Sequence, residues 1–210
     1  VDADAVKSWS ILFDPAKQPG PFWLIDSVRE MMGIALVYQG DDFNSTVPKE
    51  LKAAADLLVA TKRTENCLGF KPGVGGKNDV VAGTAVAAIV YNGDAIQSVT
   101  DAPDTLGFVI PKEGSEIWYD SMCIPVRAPN PDAAHKWINW ILEPEVGAEL
   151  SNYNQYATPN AAAEPYITPE DLKNPGIYPT PEIMQKLHFT KDLGKDNRIM
   201  DEAWTRAKSH

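Results

Sequence analysis

A chain of 210 residues with 44% hydrophobic residues and a formal net charge of −10 has the apolar content for a real core, as one large domain or two small ones. The acid excess disfavours nucleic acid and anionic membranes, which call for Lys/Arg patches. No apolar run approaches the roughly 20 residues of a membrane-spanning helix, and Cys67 and Cys123 match neither a CxxC nor a zinc pattern.

The chain opens at Val1-Asp2-Ala3-Asp4 with neither strand nor leader signal, as though joined in mid-protein. Phe22-Trp23-Leu24-Ile25, after Pro19-Gly20-Pro21, predicts a short buried strand. Asp26 or Ser27 then caps a helix reaching Gln39, with Met31, Met32, Ala35 and Leu36 on one face and Gly40 as its stop. A second helix follows Pro48, with Leu51, Ala54, Ala55, Leu58 and Val59 at helical spacing. Thr84 to Tyr91 is a nearly unbroken apolar run, the pattern of a strand buried on both faces. Leu106 to Ile110 reads as another strand, ended by Pro111.

Met122 to Val126 predicts one more strand, with Cys123 inside it as a buried thiol. Asn130-Pro131 then starts a helix whose Ala133, Ala134, Trp137, Ile138, Ile141 and Leu142 form one apolar stripe. Trp9, Trp23, Trp137, Trp140 and Trp204 are expected in the core. Thr168-Pro169-Glu170-Asp171 and Thr180-Pro181-Glu182 repeat the helix-start signal, and a terminal helix is expected over 196–208. Strands alternating with helices predict an α/β fold.

Two corners carry the chemistry. The 84–91 run ends in Tyr91-Asn92-Gly93-Asp94, and Trp118-Tyr119-Asp120 precedes the 122–126 run. Each presents a ring and a carboxylate at a strand end, where α/β proteins commonly bind ligands. Rings attract cations through their faces and carboxylates pair with ammonium groups, so the pattern suits a small organic cation. From the residues alone, Glu30 is equally a helix-start acid, Asp94 a turn or cap residue, and Tyr91, Trp118 and Tyr156 ordinary core rings. Asp120 at the mouth of an apolar strand is costly unless paired. The glycine-rich stretch at 73–78 lacks the spacing and the Ser/Thr of a P-loop. No nucleophile setting and no metal-ligand spacing is recognisable, so neither catalysis nor a cofactor is expected.

An ordered series of segments resembles the periplasmic polyamine-binding proteins (spermidine/putrescine type) of ABC transporters. It comprises Ser8-Trp9-Ser10-Ile11-Leu12-Phe13-Asp14-Pro15, Leu24-Ile25-Asp26-Ser27-Val28-Arg29-Glu30, Tyr91-Asn92-Gly93-Asp94 and Ile110-Pro111-Lys112-Glu113-Gly114, and then Trp118-Tyr119-Asp120, Leu142-Glu143-Pro144-Glu145-Val146 and Tyr156-Ala157-Thr158-Pro159-Asn160. The resemblance implies a type II, Venus-flytrap α/β fold. Residues 1–117 and 168–210 would form the second lobe, and 118–167 the C-terminal part of a first lobe whose N-terminal part is missing. It makes Glu30, Asp94 and Asp120 carboxylates for the ammonium groups of putrescine or spermidine. Tyr91, Trp118 and Tyr156 become the rings around the methylene chain, and Thr190 a polar contact. The implied partner is a membrane permease, and the implied compartment the periplasm. Segment 118–167, short of its lobe, is expected to be partly disordered or to pack against another copy by domain swapping. The rival readings are a same-fold protein for another small solute, and a hydrolase using Asp94 and Asp120 as its acid/base pair.

Overall fold

The computed structural model describes residues 5–209, so the opening Val1-Asp2-Ala3-Asp4 lies outside the described residues. After a 3-10 turn at Ala5–Lys7 and the short helix α1 (Ser10–Phe13) comes β1 (Phe22–Ile25), the predicted first strand. Its Phe22 and Leu24 are fully buried. β1 lies between β2 (Cys67–Lys71) and β3 (Ala87–Ala88), parallel to both. Parallel neighbours need crossovers, and helices supply them. The path from β1 to β2 runs through α2 (Val28–Gln39) and α3 (Pro48–Lys62), and that from β2 to β3 through α4 (Gly75–Val81).

One face of this sheet carries the main core. Met31, Met32 and Leu36 of α2 meet Leu51, Ala54, Ala55 and Leu58 of α3, with Trp9 and Ile11 to Phe13 from the N-terminal stretch. Met200, Trp204 and Ala207 of the terminal helix α10 (Asn197–Ser209) complete it. Each helix buries the stripe its 3.6-residue period lines up. Gly40 stops α2 as expected, in the left-handed region at φ 88°, with its N–H bonded to the Leu36 and Val37 carbonyls. The cap position of α2 is Ser27; Asp26 instead pairs with Lys208 at 2.7 Å. On the other face α4 approaches so closely that a Cβ on Gly76 would lie 2.9 Å from that of Ala88.

A second, two-stranded parallel sheet joins β4 (Ser115–Ile117) to β5 (Leu187–Phe189) beside α2. Gly114, at φ 104°, turns the chain into β4 where any Cβ would strike the Lys186 carbonyl. Helix α5 (Asn92–Asp101) precedes β4, and between the two strands come α6 (Pro131–Ile141), α7 (Pro144–Asn154), a 3-10 turn at Ala161–Tyr166, α8 (Pro169–Leu172) and α9 (Pro181–Met184). Residues 144–178 gather around a small core of Ala148, Ala163 and Ile167.

Several sequence expectations fail here. The 84–91 run contributes only the two-residue β3, half-buried rather than covered on both faces. β1 is the sheet's central strand, and β3 has a partner on one side only, so no second ladder extends it. Residues 106–110 and 122–126 form no strand, because neither has a strand to pair with among the described residues. Met122 is half exposed, Val126 fully so, and Cys123 is exposed rather than buried. The helix after Asn130-Pro131 forms as predicted, yet none of its residues is buried. Trp137 and Trp140 therefore leave the expected core and lean on each other at 5.1 Å between ring centroids. Trp9 and Trp204 are buried, and Trp23 is half-buried.

Candidate functional site

Five of the six residues singled out as a cation site stand in one line along the seam between the main core and residues 118–156. Glu30 lies in the first turn of α2, where the positive end of the helix favours an acid. Its Oε2 accepts a hydrogen bond from Ser27 Oγ, and the Tyr91 hydroxyl lies 3.4 Å from Oε1. Tyr91 occupies the cap position of α5. Its ring meets Trp118 edge-on at 5.3 Å, and Trp118 meets Tyr156 in the same manner at 6.3 Å. The Tyr156 hydroxyl then donates to Asp94 Oδ2 at 2.6 Å. Carboxylates therefore close both ends of a row of three rings.

Gly93 makes the Asp94 end possible. A Cβ there would sit 2.4 Å from the Tyr156 ring, so only glycine lets the ring lie flat on the start of α5. Gln97 Nε2 donates to the Asn154 carbonyl at 2.9 Å and holds the same seam together. Both phenols are held protonated. Burial, followed by Asp94, pushes the Tyr156 hydroxyl far above the usual phenol value. Burial raises Tyr91 too, with Glu30, Glu116 and Asp120 adding to it. They act as hydrogen-bond donors and leave the negative charge to the carboxylates.

Asp120, the sixth residue, is near enough to Tyr91 to act on it electrostatically. It is exposed, however, and accepts no hydrogen bond among the described residues. The expectation of a costly carboxylate at a strand mouth fails with the strand itself. Trp118, 38% exposed, shows that the row lies on an open face rather than inside a closed cavity.

Glu116 was not singled out from sequence, although Thr190 and Glu30 beside it were. Its carboxyl is pushed above the ordinary range by burial, although a hydrogen bond from Thr190 Oγ1 opposes this. Glu30 raises it further and Arg29 lowers it. A signal was available: Glu116 stands two positions before Trp118, which directly follows β4. Arg29 is desolvated and faces Glu116, Glu30, Asp192 and Asp201. Among the described residues no group of three or more His, Cys, Asp or Glu is arranged to hold a metal ion, and no helix is long and apolar enough to cross a membrane.

Comparison with known proteins finds relatives across the whole chain. The sequence profile of bacterial extracellular solute-binding proteins matches residues 1–180. A putrescine-binding periplasmic protein of Pseudomonas aeruginosa is 34% identical over 99% of this chain and 59% of its own length. A spermidine/putrescine-binding periplasmic protein of Escherichia coli is 32% identical over 100% of this chain and 59% of its own. Among solved structures, a Listeria monocytogenes protein provisionally assigned to spermidine/putrescine ABC transport superposes with a TM-score of 0.85 at 33% identity, covering 96% of this chain and 61% of that one. A spermidine/putrescine ABC transporter substrate-binding protein of Streptococcus pneumoniae gives 0.78 at 25%, over 96% and 62%. The chain thus spans about 59% of the length of these curated relatives.

Proposed function

The chain belongs to the bacterial extracellular solute-binding proteins, and on that footing we propose that it captures polyamines such as putrescine and spermidine for delivery to a membrane permease in the periplasm. The observation that carries this reading is the row Glu30, Tyr91, Trp118, Tyr156 and Asp94, rings flanked by carboxylates. An alkyl diamine is apolar in the middle and cationic at its ends. Ring faces suit its methylenes and add cation–π attraction of about 0.5–2 kcal/mol each. A carboxylate at each end spares the ligand an uncompensated charge as water leaves. The names of the relatives lend the same support.

In this reading residues 5–117 and 168–209 act as the second lobe, and 118–167 belong to the first. The unburied stripe of α6 supports that division, because a helix inside a finished lobe covers its apolar face. Trp118, Asp120 and Tyr156 would then enter the site from the first lobe, and Glu30, Tyr91 and Asp94 from the second. A ligand touching both lobes favours their closure, since it shifts a conformational equilibrium by its differential affinity alone. The closed form is what a permease would read. No covalent step is required.

Isothermal titration calorimetry with putrescine and spermidine tests this, with Asp94→Asn and Asp120→Asn alongside. Saturable heat that falls at least about tenfold in affinity in Asp94→Asn is the expected result. Binding of neither amine, or binding indifferent to both substitutions, would sink the proposal.

A further inference from the structure

The two ends of the ring row are unequally charged. At the Asp94 end, Asp94 is the one carboxylate among the described residues acting on the Tyr156 hydroxyl, and it already accepts that hydrogen bond. At the other end Glu30, Glu116 and Asp120 all act on the Tyr91 hydroxyl. Arg29 sets one positive charge against them and shares it with Asp192 and Asp201.

Glu116 is also held in place. Asn44, in the loop between α2 and α3, accepts at Oδ1 from Arg29 Nη2 and from the Lys191 N–H, each at 2.8 Å. Its Nδ2 donates to the Phe189 carbonyl at 3.0 Å, and Arg29 Nη1 donates to the Lys191 carbonyl at 2.9 Å. Both neighbours of Thr190 are thereby tied to the helix that carries Glu30. Thr190 Oγ1 in turn donates to Glu116 Oε1. Oε2 of Glu116 accepts nothing among the described residues, so one oxygen is fixed and the other is left without a protein donor.

Resting on the polyamine reading, we infer that Glu116 is a specificity-determining residue of this site, pairing with Glu30 to hold two ammonium groups at one end while Asp94 holds one at the other. The site then selects an aliphatic triamine over a diamine. Asn44 and Arg29 are positioning residues that act through Thr190.

The test is calorimetric titration of the 210-residue chain with spermidine and with putrescine, for the unmodified protein, Glu116→Gln and Glu116→Asp. Glutamine keeps an oxygen for Thr190 and removes only the charge. The expected result for Glu116→Gln is a loss of about tenfold in spermidine affinity with putrescine held within about threefold, and partial recovery of selectivity in Glu116→Asp. Added salt should narrow the gap between the two amines. Equal losses for both amines would make Glu116 a structural residue and overturn the inference, as would unchanged selectivity. Far-ultraviolet melting of each variant guards against misfolding, and the aspartate variant carries the test if the glutamine variant fails to fold. Failure of the unmodified chain to bind either amine would instead overturn the polyamine reading, a separate outcome.

Discussion

Helices α3 and α6 make an instructive pair. Both start with proline at the first helical position, and both align apolar side chains on one stripe. In α3 the residues Leu51, Ala54, Ala55 and Leu58 are all 1% exposed or less. In α6 Trp137 is 56% exposed and Trp140 50%. The hydrophobic effect rewards apolar area removed from water, at about 25 cal/mol per Å², and the stripe alone removes none. α3 has α2 and α10 packed closely against it, whereas the main neighbour of α6 among the described residues is α7. The period writes the face, and the partner decides whether that face stabilises anything.

The sharpest way to break the comparison is a matched truncation. Leu58→Ala in the α3 core is expected to cost about 2–5 kcal/mol through lost burial and a residual cavity. Trp137→Ala on α6 should cost less than about 0.5 kcal/mol. Urea unfolding of both variants measures this, and similar midpoints would show that α6 is stabilising after all. Next in size is Gly93→Ala, at the seam where the two regions meet. Its Cβ would displace the Tyr156 ring, at about 1–3 kcal/mol for overpacking, and polyamine affinity should fall with the Tyr156–Asp94 hydrogen bond.

The two thiols sharpen the comparison with less force. Cys67, in β2 under the main core, is half-buried, and burial raises its pKa. Cys123 stands exposed in the other region. A thiol reagent on the native protein should modify Cys123 at least about tenfold faster than Cys67; equal rates would mean that 122–126 is covered in solution. The smallest effect is a pH dependence. Glu116 has its carboxyl raised on folding, so the native state holds its proton more tightly than the unfolded chain. Its contribution is complete below the ordinary carboxylate pKa and is lost as pH rises through the raised one. Comparing melting temperatures of Glu116→Gln and the unmodified chain across about pH 4 to 7 should show the unmodified chain losing ground as pH increases. Identical profiles would place Glu116 in water.

What the sequence reveals follows the same division. Phe22, Leu24 and Ile25, the Met31/Met32/Leu36 face and the Leu51/Leu58 face belong to local patterns, and each is found buried as expected. The terminal helix ran true as well. The runs at 106–110 and 122–126 look like strands, but a strand is a property of two segments, and the second segment is not there among the described residues. The ring-and-carboxylate corners pointed to Tyr91, Asp94, Trp118 and Asp120 from the residues themselves, whereas Glu30 and Tyr156 entered through the family resemblance. Glu116 escaped because it is one acid in an acidic chain, and its meaning comes from Thr190 and Glu30, distant in sequence.

Asn44 has a practical bearing on how the protein is made. It opens Asn44-Ser45-Thr46, the acceptor pattern for N-linked sugar, and the nitrogen that would carry the sugar is the one that donates to Phe189. Secretion from a eukaryotic host would therefore set a bulky glycan on the clamp behind Glu116, and material from that source would misreport the affinity of the site. A bacterial host, or Thr46→Ala in any other, leaves the clamp bare.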